Sequence, residues 1–128
     1  MSKVTIATAP CSWGVWYADG TPSGTPWNIF LDQAAAAGYR ALELGPDGYL
    51  PTDEAVLREE LTRRGLEVCS GTCCYQFDRY ASFDDFRTPV EALCQRLTAF
   101  GAKYLVAMDE SDVGQYSEKK RDFAPEVW

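Results

Sequence analysis

The sequence predicts an α/β fold built from parallel β/α units, and two observations lead to that prediction. One unit recurs along the chain: a short β-rich run, a loop, an amphipathic helix, a glycine and then the next β-rich run. Strands that alternate with helices are typical of a parallel sheet. The helix-to-strand turns have only one or two residues, whereas the strand-to-helix loops are long. We therefore expect a binding site at the carboxyl ends of the strands, where the long loops gather.

The first unit combines a strand predicted at about residues 4–9 with a helix that begins near Thr25 and Pro26. Threonine is the expected N-cap and proline the expected first helical residue. Gly38 ends this helix. Its apolar face carries Trp27, Phe30, Leu31 and Ala34.

The second unit has its strand at residues 40–44 and a helix for which Thr52 is the predicted N-cap. Acidic residues in the first turn and arginines in the last turn suit the helix dipole. Leu57 and Leu61 are expected to point inward, and Gly65 ends the helix. The third strand follows at residues 67–72.

The third helix has the clearest sequence signature. Thr88-Pro89-Val90-Glu91 forms a capping box with proline at the first helical position. Apolar residues then recur at helical spacing before Gly101: Val90, Leu93, Cys94, Leu97 and Phe100. A fourth strand is predicted at residues 103–108, and residues 122–128 resemble the approach to a fourth helix. A domain that stopped there would leave a strand uncovered, so we expect a truncated fold.

Composition argues against several classes of partner. Apolar residues make up 46% of the chain and charged residues 24%, close to globular averages, so a real core is expected. The formal charge of -7, from 12 basic and 19 acidic side chains, repels phosphate backbones and anionic lipids. We therefore expect neither nucleic acid nor membrane partners. With no signal-peptide-like or membrane-spanning apolar run, a cytoplasmic location is expected.

The five cysteines do not indicate a zinc site, because no CxxC motif repeats and the chain has no histidine. Cys69 and Cys94 are expected to act as small buried hydrophobic residues. Cys11, Cys73 and Cys74 fall where strands give way to loops. Without a histidine partner a catalytic thiol is disfavoured, and reduced cysteines are the expectation.

Candidate site residues follow the predicted strands at their carboxyl ends. They are Ser12, Trp13 and Trp16 after the first strand, Glu43 at the end of the second, Tyr75, Phe77 and Tyr80 after the third, and Asp109 and Glu110 after the fourth. Aromatic and carboxylate side chains suit a polyol or sugar. Structural alternatives remain open: the tryptophans could pack a loop onto the sheet, the acids could cap a loop or be solvated, and the aromatic residues after the third strand could fold their long loop down.

Glu43 is the most informative candidate because it lies between Leu42 and Leu44. If the leucines face the helices, alternation turns the carboxylate to the opposite face of the sheet, which is the interior of a barrel. An unpaired buried charge is costly, and barrels place their chemistry at strand ends. We therefore favour a functional role for Glu43 over a structural one.

The absence of several well-known motifs excludes further classes of reaction. No GxGxxG, GxxxxGK[ST] or GxSxG segment occurs, and no histidine is present to act as a general base. What remains is sugar chemistry in which a divalent ion holds adjacent oxygens of a polyol or ketose while carboxylates move protons. Such an ion needs about four to six ligands. The chain offers too few at converging strand ends.

Four segments of the chain resemble the opening of the xylose-isomerase-like barrel superfamily. They read IATAPCSWG at 6–14, AAGYRALELGP at 36–46, LPTD at 50–53 and RRGL at 63–66. Within the superfamily, the likeness is best to inosose (2-keto-myo-inositol) dehydratases and sugar phosphate isomerase/epimerase proteins. The resemblance extends to Glu110, and the GYxxLELG pattern at 38–45 is its most specific part.

The resemblance implies that residues 1–128 are the N-terminal portion, about four β/α units, of a TIM (β/α)8 barrel. It also implies a metal-dependent isomerase, epimerase or lyase of carbohydrate or inositol metabolism, acting on a sugar or cyclitol. In that family a manganese or cobalt ion is held by side chains of later strands, so no metal ligand carries over to this chain. Glu43 matches the family's glutamate at the end of strand two and Trp13 its aromatic residue near the mouth, which implies a lining role for both.

Taken together, these inferences assign a catalytic role to Glu43. Substrate contacts are expected from Ser12, Trp13, Trp16, Tyr75, Asp109 and Glu110. We expect this chain alone to be inactive and to bind no metal. The alternative is a noncatalytic half-barrel that assembles with a second copy or with a separate second half.

Overall fold

Four parallel strands and three helices make up the computed structural model of the chain, which describes residues 4–75 and 83–109. The elements alternate along the chain, as the sequence predicted. They are β1 (Ala7–Thr8), a short 3₁₀ helix (Pro10–Trp13), α1 (Trp27–Ala36), β2 (Ala41–Glu43), α2 (Glu54–Thr62), β3 (Glu67–Tyr75), α3 (Phe83–Ala99) and β4 (Tyr104–Asp109). The α/β class predicted from the sequence is therefore confirmed.

The strands are arranged in their sequence order, β1-β2-β3-β4, and every neighbouring pair is parallel. Each β/α/β connection therefore moves one strand in the same direction across the sheet. Because such crossovers are right-handed in nearly all proteins, they place successive helices on the same face of the sheet.

The hydrophobic core lies between that face and the helices. One buried cluster takes side chains from all three helices, from the two middle strands and from the residue after β2: Phe30, Leu31, Leu57, Leu61, Leu97, Leu42, Val68 and Leu44. Burying a side chain of this size stabilises the fold by about 1.5–3 kcal/mol. As the alternation predicted, Leu42 and Leu44 face the helices, so Glu43 between them lies on the opposite face, which we call the open face.

The register between β2 and β3 contains an irregularity that exchanges the faces of the side chains in the second half of β3. Leu42 is level with Val68, but Glu43 is level with Ser70, so Cys69 is an extra residue in β3. This is a β-bulge, which reverses the alternation beyond it. Ser70 therefore shares the open face with Glu43. Consistent with this reversal, Gly71 lies against Leu93 and Leu97 of α3 on the helix side.

β1 is much shorter than the strand predicted at residues 4–9. Only Ala7 and Thr8 pair with β2, and Val4 and Ile6 before them are strongly exposed. Among the described strands β1 lies at one end of the sheet, and its neighbour β2 offers only three residues for pairing. In contrast, β3 runs to Tyr75, three residues beyond its predicted end, because β4 pairs with it along its second half.

Two predicted helix caps were wrong by one residue. Pro26, not Thr25, is the N-cap of α1, with an extended backbone (ψ 147°) and no side-chain cap bond. Asp53, not Thr52, caps α2: its Oδ1 accepts hydrogen bonds from two backbone N–H groups of the first turn, at 2.8 and 3.0 Å. A carboxylate is a strong cap and also suits the positive end of the helix dipole.

The capping box predicted at residues 88–91 is also wrong, because α3 begins at Phe83 and encloses Pro89. Asp84 and Asp85 in the first turn favour this earlier start. Arg87 reinforces it, since its guanidinium lies 3.5 Å from an Asp84 oxygen and 3.7 Å from a Glu91 oxygen. The predicted fourth helix at residues 122–128 falls outside the described residues. Within the described ranges, no helix combines the length and apolar character needed to cross a membrane.

Candidate site at the carboxyl edge of the sheet

The loop between β1 and α1 is a folded hairpin-like segment. Val15 is buried and forms an isolated antiparallel bridge with Pro22. Asp19 holds the turn at the tip of this segment. Its Oδ1 accepts two hydrogen bonds from Thr21, one from the hydroxyl at 2.7 Å and one from the backbone N–H of Thr21 at 3.0 Å. These two bonds lower the pKa of Asp19, and the bond from the hydroxyl has the larger effect. Trp16, which follows Val15, is held exposed at this edge.

The loop after β2 packs closely on the segment that follows β1. Gly45 has a φ of +71°, and a Cβ built on it would lie 2.5 Å from Cγ of Pro10. Further along, the hydroxyl of Tyr49 donates a 2.9 Å hydrogen bond to the carbonyl oxygen of Thr25. Tyr49 is buried, and this burial raises its pKa. The first two long loops are therefore fixed to each other at the carboxyl edge.

A cavity of about 540 Å³ opens at this edge, on the helix side of the sheet. Its walls come from both loops, the ends of β2 and β3, and the inner face of α3. Trp16 and Tyr75, two predicted substrate contacts, both line it. The ring of Tyr75 lies 5.1 Å from the ring of Phe86, centroid to centroid. Aromatic walls of this kind suit an apolar ligand face such as that of a sugar ring.

Arg96 provides the positive charge of this cavity. Its Nη2 donates a 2.6 Å hydrogen bond to the carbonyl oxygen of Pro51, and its Nη1 lies 3.8 Å from an Asp47 oxygen. Its Nε is buried and has no hydrogen-bond partner among the residues that the structure describes. Arg96 was not predicted from the sequence, because an arginine in the last turn of a helix is ordinarily explained by the helix dipole.

Glu43 does not line the cavity, because it lies on the open face of the sheet. Glu43 as a residue is partly buried at the end of β2. On the same face, Ser70 is its register partner on β3, and Thr72 follows at the next alternate position, where it also borders the cavity. One carboxylate and two hydroxyl groups thus share the carboxyl end of the open face. Such a set can accept a proton and can hydrogen-bond to the hydroxyls of a polyol.

Ser70 and Thr72 were not predicted from the sequence, because nothing in the local pattern of β3 reveals the bulge. With unbroken alternation, residues 70 and 72 would share the face of Val68, which packs in the core. The extra residue Cys69 moves them to the open face. Its Sγ lies 3.4 Å from the carbonyl oxygen of Leu42, in hydrogen-bond geometry.

Trp13 is engaged in packing. Its Nε1 donates a 2.6 Å hydrogen bond to Oε1 of Gln33 in α1, and its ring meets Phe30 edge-on at 4.9 Å. These contacts support the packing alternative, and substrate contact by Trp13 stays a prediction. Ser12 is exposed in the 3₁₀ helix, and Asp109 is exposed at the end of β4. Glu110, Phe77 and Tyr80 lie outside the described residues.

No disulfide joins any of the five cysteines, all of which lie within the described residues. Burial is the main cause that raises the pKa of Cys73. A raised pKa lowers the thiolate fraction at neutral pH, which makes this thiol a poor nucleophile.

The described residues do not supply a set of metal ligands, since no three His, Cys, Asp or Glu side chains among them converge. They therefore do not fit the manganese or cobalt ion that the resemblance implies. The chain matches no family model, no curated protein and no solved structure at a significant level.

Proposed function

We propose that this chain supplies the first four β/α units of a sugar or cyclitol enzyme with a β/α barrel, and that Glu43 handles a proton in it. The observation that carries this proposal is the position of Glu43 at the carboxyl end of β2, on the open face, beside Ser70 and Thr72. Catalytic groups of barrel enzymes come from the carboxyl ends of several strands and from the loops that follow them.

The arrangement of the sheet supports a barrel over a doubly wound fold. In a doubly wound sheet the strand order reverses at a switch point and helices cover both faces. Here the order is sequential, and the core of the described residues lies on one face alone. Such a sheet leaves its other face free to form the interior of a barrel, and Glu43 lies on that face.

The chemistry that we assign to Glu43 is removal of a proton from a carbon beside a carbonyl group. The carboxylate takes the proton, and the electron pair of the broken C–H bond moves toward the carbonyl oxygen to give an enediolate. Isomerisation, epimerisation and dehydration of a keto sugar or inosose share this first step. Ser70 and Thr72 would orient the substrate through its hydroxyl groups. The proton transfer assigned to Glu43 requires no metal ligand from the described residues.

The test compares two glutamates on the same face. Glu67 begins β3, is exposed and shares the open face with Glu43, because it is the register partner of Ala41. Ligand-observed NMR would measure the binding of an inosose and a ketose, with the corresponding reduced polyols as carbonyl-free controls. We expect the chain to bind the carbonyl compounds more tightly than the polyols. In Glu43→Gln this binding should weaken about tenfold or more, because the substitution removes a charge-assisted hydrogen bond.

Glu67→Gln should bind as the unchanged chain does, since it lies at the opposite end of the strands. Equal binding by the unchanged chain and by Glu43→Gln would refute the role assigned to Glu43. Failure to bind any keto sugar or cyclitol would refute the proposed substrate class.

A further inference from the structure

A row of three polar side chains crosses the open face of the sheet at the level of Glu43. Ser70 on β3 is the register partner of Glu43 on one side and of Tyr104 on the other. Register partners in neighbouring parallel strands project from the same face of a sheet. Glu43, Ser70 and Tyr104 therefore lie side by side on β2, β3 and β4.

The next residue of β4 supports the placement of Tyr104 on the open face. Leu105 is level with Gly71, and a Cβ built on Gly71 would lie 3.0 Å from Cδ1 of Leu93 in α3. Position 71, with Leu105 beside it, therefore faces the helices. Because side chains alternate along a strand, Tyr104 faces the opposite way.

The strands are staggered, so the start of β4 is level with the end of β2. Glu43 is the last residue of β2, whereas Tyr104 is the first residue of β4. A stagger between strands is also what closure of a sheet into a barrel requires. Candidate residues chosen at the carboxyl ends of the strands do not include Tyr104, and for this reason it was not predicted from the sequence.

Tyr104 differs from a tyrosine that has a packing role. Tyr49 is 4% exposed, and its hydroxyl donates a hydrogen bond to a backbone carbonyl oxygen, as buried tyrosines usually do. Tyr104 is 68% exposed. Its phenol is therefore accessible to a ligand that binds on the open face.

We propose that Tyr104 is a second catalytic residue, whose hydroxyl donates a hydrogen bond to the carbonyl oxygen of the bound keto sugar or inosose. This inference rests on the proposed function. When Glu43 takes the proton from the neighbouring carbon, the electron pair of the C–H bond forms a C=C bond, and the π pair of the carbonyl group becomes a lone pair on its oxygen. Tyr104 stabilises the negative charge that develops on this oxygen and keeps its own proton.

The spacing of the row suits the two substrate atoms that react. Neighbouring strands are about 4.8 Å apart, so the Cα atoms of Glu43 and Tyr104, two strands apart, are separated by about 10 Å. The carbonyl oxygen and the carbon that loses its proton are about 2.4 Å apart, since two bonds separate them. The carboxylate and the phenol must each come within about 3 Å of one of these atoms. They therefore lie no more than about 8 Å apart, so the substrate fits between them, above Ser70.

The first test removes the hydroxyl of Tyr104 and retains its ring. Ligand-observed NMR would measure the binding of an inosose and of its reduced cyclitol, which has no carbonyl group. Tyr104→Phe should weaken inosose binding about fivefold or more and change cyclitol binding by less than about twofold. Tyr39, in the turn before β2, packs against the core, so Tyr39→Phe is the control and should change neither.

The carbon-13 chemical shift of the bound carbonyl group separates a catalytic role from a structural one. A hydrogen bond polarises the C=O bond and moves the resonance of its carbon downfield. With inosose labelled at this carbon, the signal extrapolated to saturation should move downfield on the unchanged chain, and Tyr104→Phe should abolish the movement. A Tyr104→Phe variant that binds inosose more weakly but keeps the same bound shift would show that Tyr104 is structural and would overturn the proposal.

Failure of this inference can be distinguished from failure of the proposed function. If Tyr104→Phe binds inosose as the unchanged chain does, while Glu43→Gln binds it about tenfold more weakly, the role of Tyr104 is refuted and the proposed function is retained. If the unchanged chain binds neither an inosose nor a ketose, the proposed function is refuted, and the role assigned to Tyr104 is refuted with it.

Discussion

Single residues at the carboxyl edge are constrained by close backbone contacts. Gly45 combines a left-handed φ of +71° with a position where any Cβ would lie 2.5 Å from a carbon of Pro10. This distance is well below van der Waals contact, and the obstacle is a proline ring that cannot rotate away. The lack of a side chain at Gly45 therefore allows the loop after β2 to lie directly against the segment after β1. This contact determines the relative position of the two loops beside the candidate site.

Replacing Gly45 with alanine should destabilise the fold more than the same change at Gly24. Both glycines have a φ of +71°, but Gly24 has open space where its Cβ would be. Gly24→Ala should cost about 1 kcal/mol for the left-handed backbone alone. Gly45→Ala adds a clash, worth about 1–3 kcal/mol more. Urea unfolding measures both, and equal losses would show that the Pro10 contact relaxes without cost.

At the level of elements, the order of strands and helices could be predicted from the sequence because hydrophobic periodicity dictates it. Helix boundaries could not, because adjacent residues compete for the same cap. Thr52 and Asp53 are both good N-caps, and only the tertiary position of α2 decides between them. Thr88 and Pro89 form a valid helix start in isolation, yet α3 begins at Phe83, six residues before Pro89, with acidic residues in its first turn.

The competition between Thr52 and Asp53 can be tested directly. Asp53→Ala removes the acceptor of two backbone hydrogen bonds and should lower the free energy of unfolding by about 1 kcal/mol. Thr52→Ala removes no cap and should change it by less than about 0.5 kcal/mol. Thermal and urea unfolding report the difference. A larger loss for Thr52→Ala would restore the cap predicted from the sequence.

β3 explains why the candidate site could be predicted only in part. Glu43 follows from simple alternation, since the leucines on either side of it are plainly apolar. Ser70 and Thr72 depend on the extra residue Cys69, and no local pattern in the sequence marks a bulge that one strand requires to match its neighbour. The cavity near Arg96 likewise depends on how α3 packs against two distant loops.

On the scale of the whole molecule, the described sheet has one face covered by helices and one open face that carries polar side chains at its carboxyl end. The chain has a formal charge of -7, so cations are attracted to its surface in general. Attraction of this kind is screened within about 8–10 Å at physiological salt. A specific metal site instead requires several oxygen ligands that converge, and the described residues contain no such group.

We therefore predict that the 128-residue chain binds Mn²⁺ only weakly. At the carboxyl end of the open face, Glu43 shares the sheet with the hydroxyl groups of Ser70 and Thr72, which is fewer than the roughly six oxygen ligands that such an ion prefers. Calorimetric titration should show a heat of binding at low salt that largely disappears near 150 mM salt. A one-to-one site of micromolar affinity that persists at this salt and is lost in Glu43→Gln, but not in Glu67→Gln, would contradict the prediction. That outcome would make Glu43 a metal ligand in place of a proton acceptor.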